Sequence, residues 1–455
     1  MGKKGLVLIC ILSFILGIVG GFFHPLLAFG AFFIALAIIV LTTDFTVSLY
    51  ILSGYLIIDY ALRSVSETAL LASIWDEVFL LGCVLLLFVK WFREKTRTSP
   101  APTPVHVTLM LFICVNIFLL LVNSTYPEVG LEGVRAVIQH MLWFFIVYAI
   151  VRSKTDIRRV LFFMNVACLL IAIYGIFQYV VGVEMPAQWA DMAEGDIRTR
   201  AFSILGNPNA LGSVMALASM LSLSLLFTSR NLLQRLYYLA SFSAMALCLV
   251  VTLSRGAWIG FAVSLILFVL LMDKRYFLPL LVLGVLVMLF IPAISDRMIY
   301  MLSPQYIYSS LTAGRLYRWE LGWEMFRNNL FLGVGPGHFG GAVSMRYTYY
   351  LGDVFYMDNY YLKTAVELGL AGLVSFLVLL YSLLSGILKG LLKMKRSEEK
   401  TILSGIFTGM IGVLIHGFFE NVFEVPGLTV LFWICAGLAM ALIYKLDSQA
   451  LHNIS

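Results

Sequence analysis

Arg255 lies in TLSRGAWIG, residues 252–260, where two long apolar runs meet. A guanidinium stays charged at any ordinary pH, and its planar fork of N–H donors suits an oxyanion held by paired bonds, a phosphate above all. Arg315 and Arg318 stand three residues apart in LTAGRLYRWELGWEMF, a spacing that brings them close on one helix. If the two segments meet, three guanidiniums gather around one anion. The plainer alternatives are a helix-end Arg255 that snorkels to lipid phosphate, and a solvated helix face for Arg315 and Arg318.

Other stretches carry polar groups at the ends of apolar runs. In SILGNPNALG, Pro208 suits an early helical turn, while Asn207 and Asn209 can cap that helix or bind polar ligand atoms; capping accounts for one of the two. In MDNYYLKTAVELG, Asp358 is either an N-cap or a carboxylate facing a reaction centre, Asn359 follows it, and Lys363 with Glu367 forms an i, i+4 pair that lowers the cost of charge near lipid. LIHGFFENVFEVPG places His416 near the end of a span, with Glu420, Asn421 and Glu424 in the turn that follows. A carboxylate or histidine there can accept a proton, although a lone histidine so placed, like His338, is more often a packed hydrogen-bonding residue. GVGPG is too rich in glycine to remain helical: it either reverses the chain or turns its N–H groups towards an anion.

The elements that must position these residues are membrane helices. Of 455 residues 61% are apolar and only 12% are Asp, Glu, Lys or Arg, with a mean hydropathy of +0.95; ordinary soluble domains carry about twice that charged fraction. Hydropathy yields an all-α polytopic membrane protein of about 12–14 spans, read as one integral-membrane domain over residues 1–455. The spans lie near 6–23, 26–42, 45–62, 74–91, 105–122, 134–151, 160–181, 205–228, 234–253, 257–272, 276–292, 359–388, 402–419 and 426–444. The second, third and tenth are short and closely spaced enough to be re-entrant or broken. The first is expected to be a true span rather than a signal peptide, because a second apolar run follows at once. Most of the 31 lysines and arginines fall inside if both termini face the cytoplasm. This puts the arginines and the one long loop, 293–358, on the outer side. Within that loop Leu316, Trp319, Trp323 and Phe326 mark the apolar stripe of an amphipathic helix.

Two function classes fall away on composition. The six cysteines, Cys10, Cys83, Cys114, Cys168, Cys248 and Cys435, sit singly in apolar segments, so neither a disulfide framework nor a metal site is expected. The net charge of +6, placed in cytosolic loops, is met by acidic membrane lipid without a nucleic-acid partner.

The order GNPNALG, SRGAWIG, AGRLYRWELGWEMFRNNLFLGVGPGHF and DNYYLKTAVELGLAG, placed as it is between spans, resembles the O-antigen ligase and O-antigen polymerase superfamily, most strongly over about residues 200–375. The resemblance implies a bacterial inner-membrane enzyme with the multi-helix fold of lipid-sugar glycosyltransferases (GT-C-like). Such an enzyme transfers a glycan from undecaprenyl pyrophosphate, outside the cytoplasmic face, without a cofactor or obligatory metal. The acceptor is a lipid A-core sugar, a further lipid-linked repeat or another hydroxyl, and ligase and polymerase remain equally open. Carried over by motif, Arg255 with Arg315 or Arg318 holds the pyrophosphate. Asn207, Asn209, Asn359 and His338 are candidate glycan or pyrophosphate contacts. Where ligases commonly have His-Asn, this chain has Asp358-Asn359, so Asp358 is the first candidate base and His416 the second. The reading from another class is a lipid-glycan flippase or other transporter, against which stand the absence of internal repeats and the gathering of arginines at one face.

Overall fold

A computed structural model describes residues 46–65, 69–93, 102–186, 199–290, 292–312, 314–352 and 354–446. The first two expected spans, 6–23 and 26–42, lie outside the described residues. Among those described there is no strand. In chain order the helices are α1 (Val47–Ser53), α2 (Tyr55–Val65), α3 (Ala69–Arg93), α4 (Pro104–Asn123), α5 (Pro127–Ile138), α6 (Trp143–Ile150) and α7 (Lys154–Val181). There follow α8 (Pro208–Thr228), α9 (Leu232–Val251), α10 (Arg255–Met272), α11 (Phe277–Phe290), α12 (Pro292–Tyr300), α13 (Pro304–Thr312) and α14 (Arg315–Asn328). The chain continues through α15 (Ala342–Arg346), α16 (Thr348–Leu351), α17 (Tyr360–Lys393), α18 (Glu398–His416) and α19 (Pro426–Ala441).

Among the described residues, eight stretches are long and apolar enough to cross a bilayer: Pro104–Asn123, Pro127–Ile150, Lys154–Val181, Pro208–Thr228, Leu232–Val251, Arg255–Met272, Tyr360–Lys393 and Pro426–Leu446. The chain is an all-α, multi-span membrane protein. Several spans differ from hydropathy in ways local chemistry explains. The third is broken at Gly54 into α1 and α2. The sixth starts at Pro127 and is interrupted by a 3-10 turn, Gln139–Leu142. The seventh begins early because Ser153 and Asp156 form a reciprocal cap: Asp156 N–H donates to Ser153 Oγ at 3.2 Å, and Ser153 N–H to Asp156 Oδ2 at 2.9 Å. At 14 residues α11 rises about 21 Å, short of a hydrocarbon core about 30 Å thick.

Helices α8 and α19 are apolar on all sides and almost wholly buried, which makes them the centre of the bundle. Exposed apolar side chains on α4 (Val107, Leu121), α9 (Leu232, Leu233) and α11 (Leu278, Leu289) form the surface that hydrocarbon would cover. Between lipid-like surroundings there is little hydrophobic drive for helices to associate, so close packing of small residues must supply it. Gly405 and Gly409 of α18 face Ser224 and Leu217 of α8, and Gly412 meets Gly260 of α10 so closely that a Cβ on Gly260 would overlap the Gly412 carbonyl oxygen. Ser264 Oγ donates across the same crossing to the Thr408 carbonyl at 2.8 Å. α18 is thereby pinned between α8 and α10.

The long segment before α17 corrects one expectation. Leu316 and Trp323 of α14 are exposed, whereas Phe326 and Gly322 are buried, the latter beneath Met357 and Leu362. The inward face therefore runs through Arg315, Arg318, Trp319, Gly322 and Phe326. Packing against α17 has overridden the simple apolar stripe.

The α10–α18 contact leads to a first prediction. Gly260→Leu must force the two helices apart and should cost about 1–3 kcal/mol, as overpacked interiors do. It would be read as a lower midpoint in thermal unfolding of the detergent-solubilised protein; an unchanged midpoint would show that this crossing does not hold the bundle.

Candidate functional site

The site begins at the turn joining α9 to α10. Thr252 to Ser254 reverse the chain in so few residues that Leu253 is driven to φ 53°, the left-handed region that a leucine adopts only under constraint. Buried Arg200 supplies that constraint. Its Nε donates to the Thr252 carbonyl at 2.8 Å, and its Nη2 donates to Asn209 Oδ1 at 2.9 Å. Arg255 is consequently the first residue of α10 rather than part of a loose turn. Its guanidinium lies over the ring of Tyr306 on α13, 4.9 Å from the centroid.

The long segment brings the other arginines to the same region. At the end of the tract before α17, Asp358 is 4% exposed and receives three donors. Arg315 Nε donates to Oδ2 at 2.6 Å, Arg318 Nη2 to the same oxygen at 2.8 Å, and Trp319 Nε1 to Oδ1 at 3.1 Å. The i, i+3, i+4 spacing on α14 puts all three donors on the face turned to Asp358. Tyr306 lies close enough for Arg315 to feel its charge, and with Asp358 it helps hold the Arg315 guanidinium more firmly protonated than usual against the opposing effect of burial, the largest influence. Arg255, Arg315 and Arg318 are thus gathered around Tyr306 and Asp358.

Beside them lies a second buried carboxylate. Glu420 accepts the Tyr356 hydroxyl on Oε1 at 2.6 Å, the Asn421 N–H on Oε1 at 3.0 Å and Asn209 Nδ2 on Oε2 at 2.5 Å. Burial pushes its carboxyl above the ordinary glutamate range, while these hydrogen bonds pull the other way. Burial likewise pushes the Tyr356 phenol well up, so it stays a donor.

The remaining expected residues divide between this region and the framework. Asn207 caps α8, accepting the Asn209 N–H at 2.8 Å and the Ala210 N–H at 3.2 Å, and Asn359 caps α17, accepting the Leu362 N–H at 3.0 Å. Asn209 instead bridges Arg200 to Glu420. His416 is 2% exposed and joins three elements, with Nδ1 2.5 Å from Ser213 Oγ of α8 and Nε2 3.4 Å from Ser254 Oγ, the residue before Arg255. Both ring nitrogens face serine hydroxyls. His338 is set apart from the arginines: its Nδ1 must donate to the Pro336 carbonyl at 2.8 Å, which leaves Nε2 to accept the Tyr126 N–H at 3.2 Å. Burial, which pushes its pKa down, suits that neutral tautomer.

Beneath the site an ammonium and two carboxylates are shut away from solvent. Lys363 Nζ lies 2.5 Å from Glu367 Oε2 and 2.7 Å from Glu424 Oε1, with all three side chains at most 6% exposed. Glu424 also accepts the Ala342 N–H and Asn421 Nδ2, each at 2.7 Å. The GVGPG turn docks here, its Val334 and Gly335 N–H groups donating to the Val366 and Glu367 carbonyls at 2.9 and 3.0 Å. Those donors are spent on the chain itself, which makes this part of the turn a structural joint. Gly369 breaks α17 at φ 62° where the backbones of Phe331 and Gly333 press against it, a conformation and a clearance that only glycine provides.

Arg200, Tyr306 and Tyr356 join the expected residues at the site, with Glu420 in a more central place than its turn position suggests. A basic residue just before GNPNALG was the one available signal for Arg200; no local pattern points to the tyrosines. Residues 240–377 match the family described as O-antigen ligase. The match spans Arg255, Arg315, Arg318 and Asp358. No curated protein matches the chain.

The buried triad yields the second prediction. Lys363→Met leaves two carboxylates facing each other without their cation and should destabilise the protein by about 3–5 kcal/mol. Adding Glu367→Gln should recover part of the loss in thermal unfolding. A single variant as stable as the parent would show that the triad carries no structural load.

Proposed function

We propose that this chain transfers a glycan from undecaprenyl pyrophosphate to an acceptor hydroxyl during assembly of a bacterial surface polysaccharide. The match of residues 240–377 to the O-antigen ligase family supports polysaccharide-related glycan transfer. The observation that carries the finer reading is the meeting of Arg255, Arg315 and Arg318, from two separate helix starts, around Asp358 and Tyr306. In this reading the bundle is of the lipid-sugar glycosyltransferase (GT-C-like) type in the inner membrane, with both termini cytoplasmic and the arginines on the periplasmic side. The donor's polyprenyl tail lies among the helices and its sugars reach outward. The acceptor is a lipid A-core sugar, a lipid-linked repeat or another hydroxyl.

The chemistry needs little from the protein beyond position and charge. The acceptor oxygen attacks the anomeric carbon from the side opposite the leaving group, the bond to pyrophosphate breaks, and the anomeric centre inverts. Negative charge grows on the departing pyrophosphate. Donors already aimed at those oxygens stabilise the transition state more than the ground state, with no reorganisation at the moment of reaction. Asp358, first expected as the base, is committed to two guanidiniums and an indole; its role is to hold Arg315 and Arg318 in register. Trp319 fixes the carboxylate that fixes them.

Removing one such donor characteristically costs about 3–4 kcal/mol, roughly 100- to 1000-fold in rate. Arg255→Ala and Arg318→Ala should each lower transfer by that factor at matched protein level, whereas Arg346→Ala, a surface arginine paired with Glu132, should be nearly silent. The assay is attachment of the lipid-linked glycan that accumulates in a strain lacking this protein, scored by product length to separate ligase from polymerase. Parental output from Arg255→Ala would end this reading.

A further inference from the structure

Two carboxylates flank the arginine cluster, and their partners differ in kind. Asp358 is met by two full positive charges, while every hydrogen-bond donor to Glu420 is neutral: a phenol, a backbone amide and the Asn209 carboxamide. A carboxylate offers about four acceptor positions. Three of those on Glu420 are filled, leaving one on Oε2 open to a further donor. The residue is 1% exposed, and its donors come from three separate segments: the tract before α17, the start of α8 and its own turn. Asn209 is itself held by Arg200 at 2.9 Å, so the carboxylate is braced from behind.

The charged and titratable groups around it are Arg315 on α14, Asp358 and Tyr356 before α17, Glu424 in its own turn, His416 at the end of α18, and Arg200 behind Asn209. His416 is no rival as a base, because both its ring nitrogens face serine hydroxyls. Efficient general bases need enough basicity to take a proton at the operating pH, and a carboxylate that is buried and held only by neutral donors is better suited than one locked between guanidiniums.

Resting on the glycan-transfer reading, we propose that Glu420 is the base that takes the proton of the acceptor hydroxyl, with Asn209 and Tyr356 as its positioning residues. As the new bond from acceptor oxygen to anomeric carbon forms, the O–H proton passes to Glu420 Oε2. The electron pair of the broken bond leaves with the polyprenyl pyrophosphate beside the arginines. The proton then returns to water on the outer side, and the cycle needs no co-reactant.

The test uses the full-length protein in lipid nanodiscs, with the lipid-linked glycan extracted from a strain lacking it and that strain's own acceptor. Binding of unglycosylated undecaprenyl pyrophosphate is measured on the same preparations. Glu420→Gln should lower the transfer rate by roughly 100- to 10,000-fold while binding the pyrophosphate lipid within about threefold of the parent, and Glu420→Asp should restore part of the rate. The parent's rate should rise with pH through a value above the ordinary glutamate range, where the carboxylate ionises, and the residual rate of Glu420→Gln should lack that limb. A Glu420→Gln rate within threefold of an active parent overturns the base assignment alone. So does loss of lipid binding in step with rate, which would make Glu420 part of the anion site. A parent that forms no new glycosidic bond and binds no pyrophosphate lipid overturns the glycan-transfer reading as well. If Glu420→Gln fails to accumulate, the pH limb of Glu420→Asp decides: an acid limb unmoved from the parent's is the contrary result.

Discussion

An ammonium buried between two carboxylates governs the end of this molecule that carries the site. Charge in a low-dielectric interior is tolerated only when it is paired and hydrogen-bonded, and Lys363 satisfies that condition through Glu367 on its own helix and Glu424 from the α18–α19 turn. Because Glu424 also accepts the Ala342 N–H, a single cluster ties together the start of α17, the segment after GVGPG and the α18–α19 turn. Asp358 lies five residues before the lysine and Glu420 four before the glutamate. The positions of both site carboxylates follow from a pairing that belongs to neither.

Above that anchor, the site separates charges that are committed from charges that are held ready. Asp358 holds Arg315 and Arg318 on one carboxylate oxygen, and the strained turn at Leu253, secured by Arg200, projects Arg255 from the start of α10. Arg315 and Arg318 share one carboxylate while Arg255 lies over a ring, an arrangement suited to an anion of more than one charge. Holding cations in place before the anion arrives is costly in a membrane protein. In the proposed glycan transfer that cost would be returned as catalysis, since the field would already point where negative charge develops.

Much of this was legible from residue types and spacing. Arg255 stands out because guanidinium beside apolar helix is rare, and Arg315 with Arg318 because a three-residue interval on a helix puts them together. Asn207 reads as a cap from the proline that follows it. What was not legible depends on partners distant in the chain. Nothing local says that Glu420 meets Tyr356 and Asn209, or that His338 closes on the backbone at Tyr126. The α14 stripe misled for the same reason: its apolar periodicity is real, but contact with Met357 and Leu362 turns Gly322 inward and leaves Trp323 outside. Among the described residues hydropathy located eight stretches able to cross a bilayer, and the short third span breaks at Gly54 as its length suggested. The break at Gly369 was missed, because window averages do not register a single kinked residue.

The central claim concerns where a diphosphate sits. An experimental structure of the protein with undecaprenyl pyrophosphate bound tests it most directly. The account requires the phosphate oxygens to lie within hydrogen-bonding distance of Arg255 and of at least one of Arg315 and Arg318, with the polyprenyl chain leading into the bundle. Diphosphate bound away from Arg255 and from both Arg315 and Arg318 would contradict it.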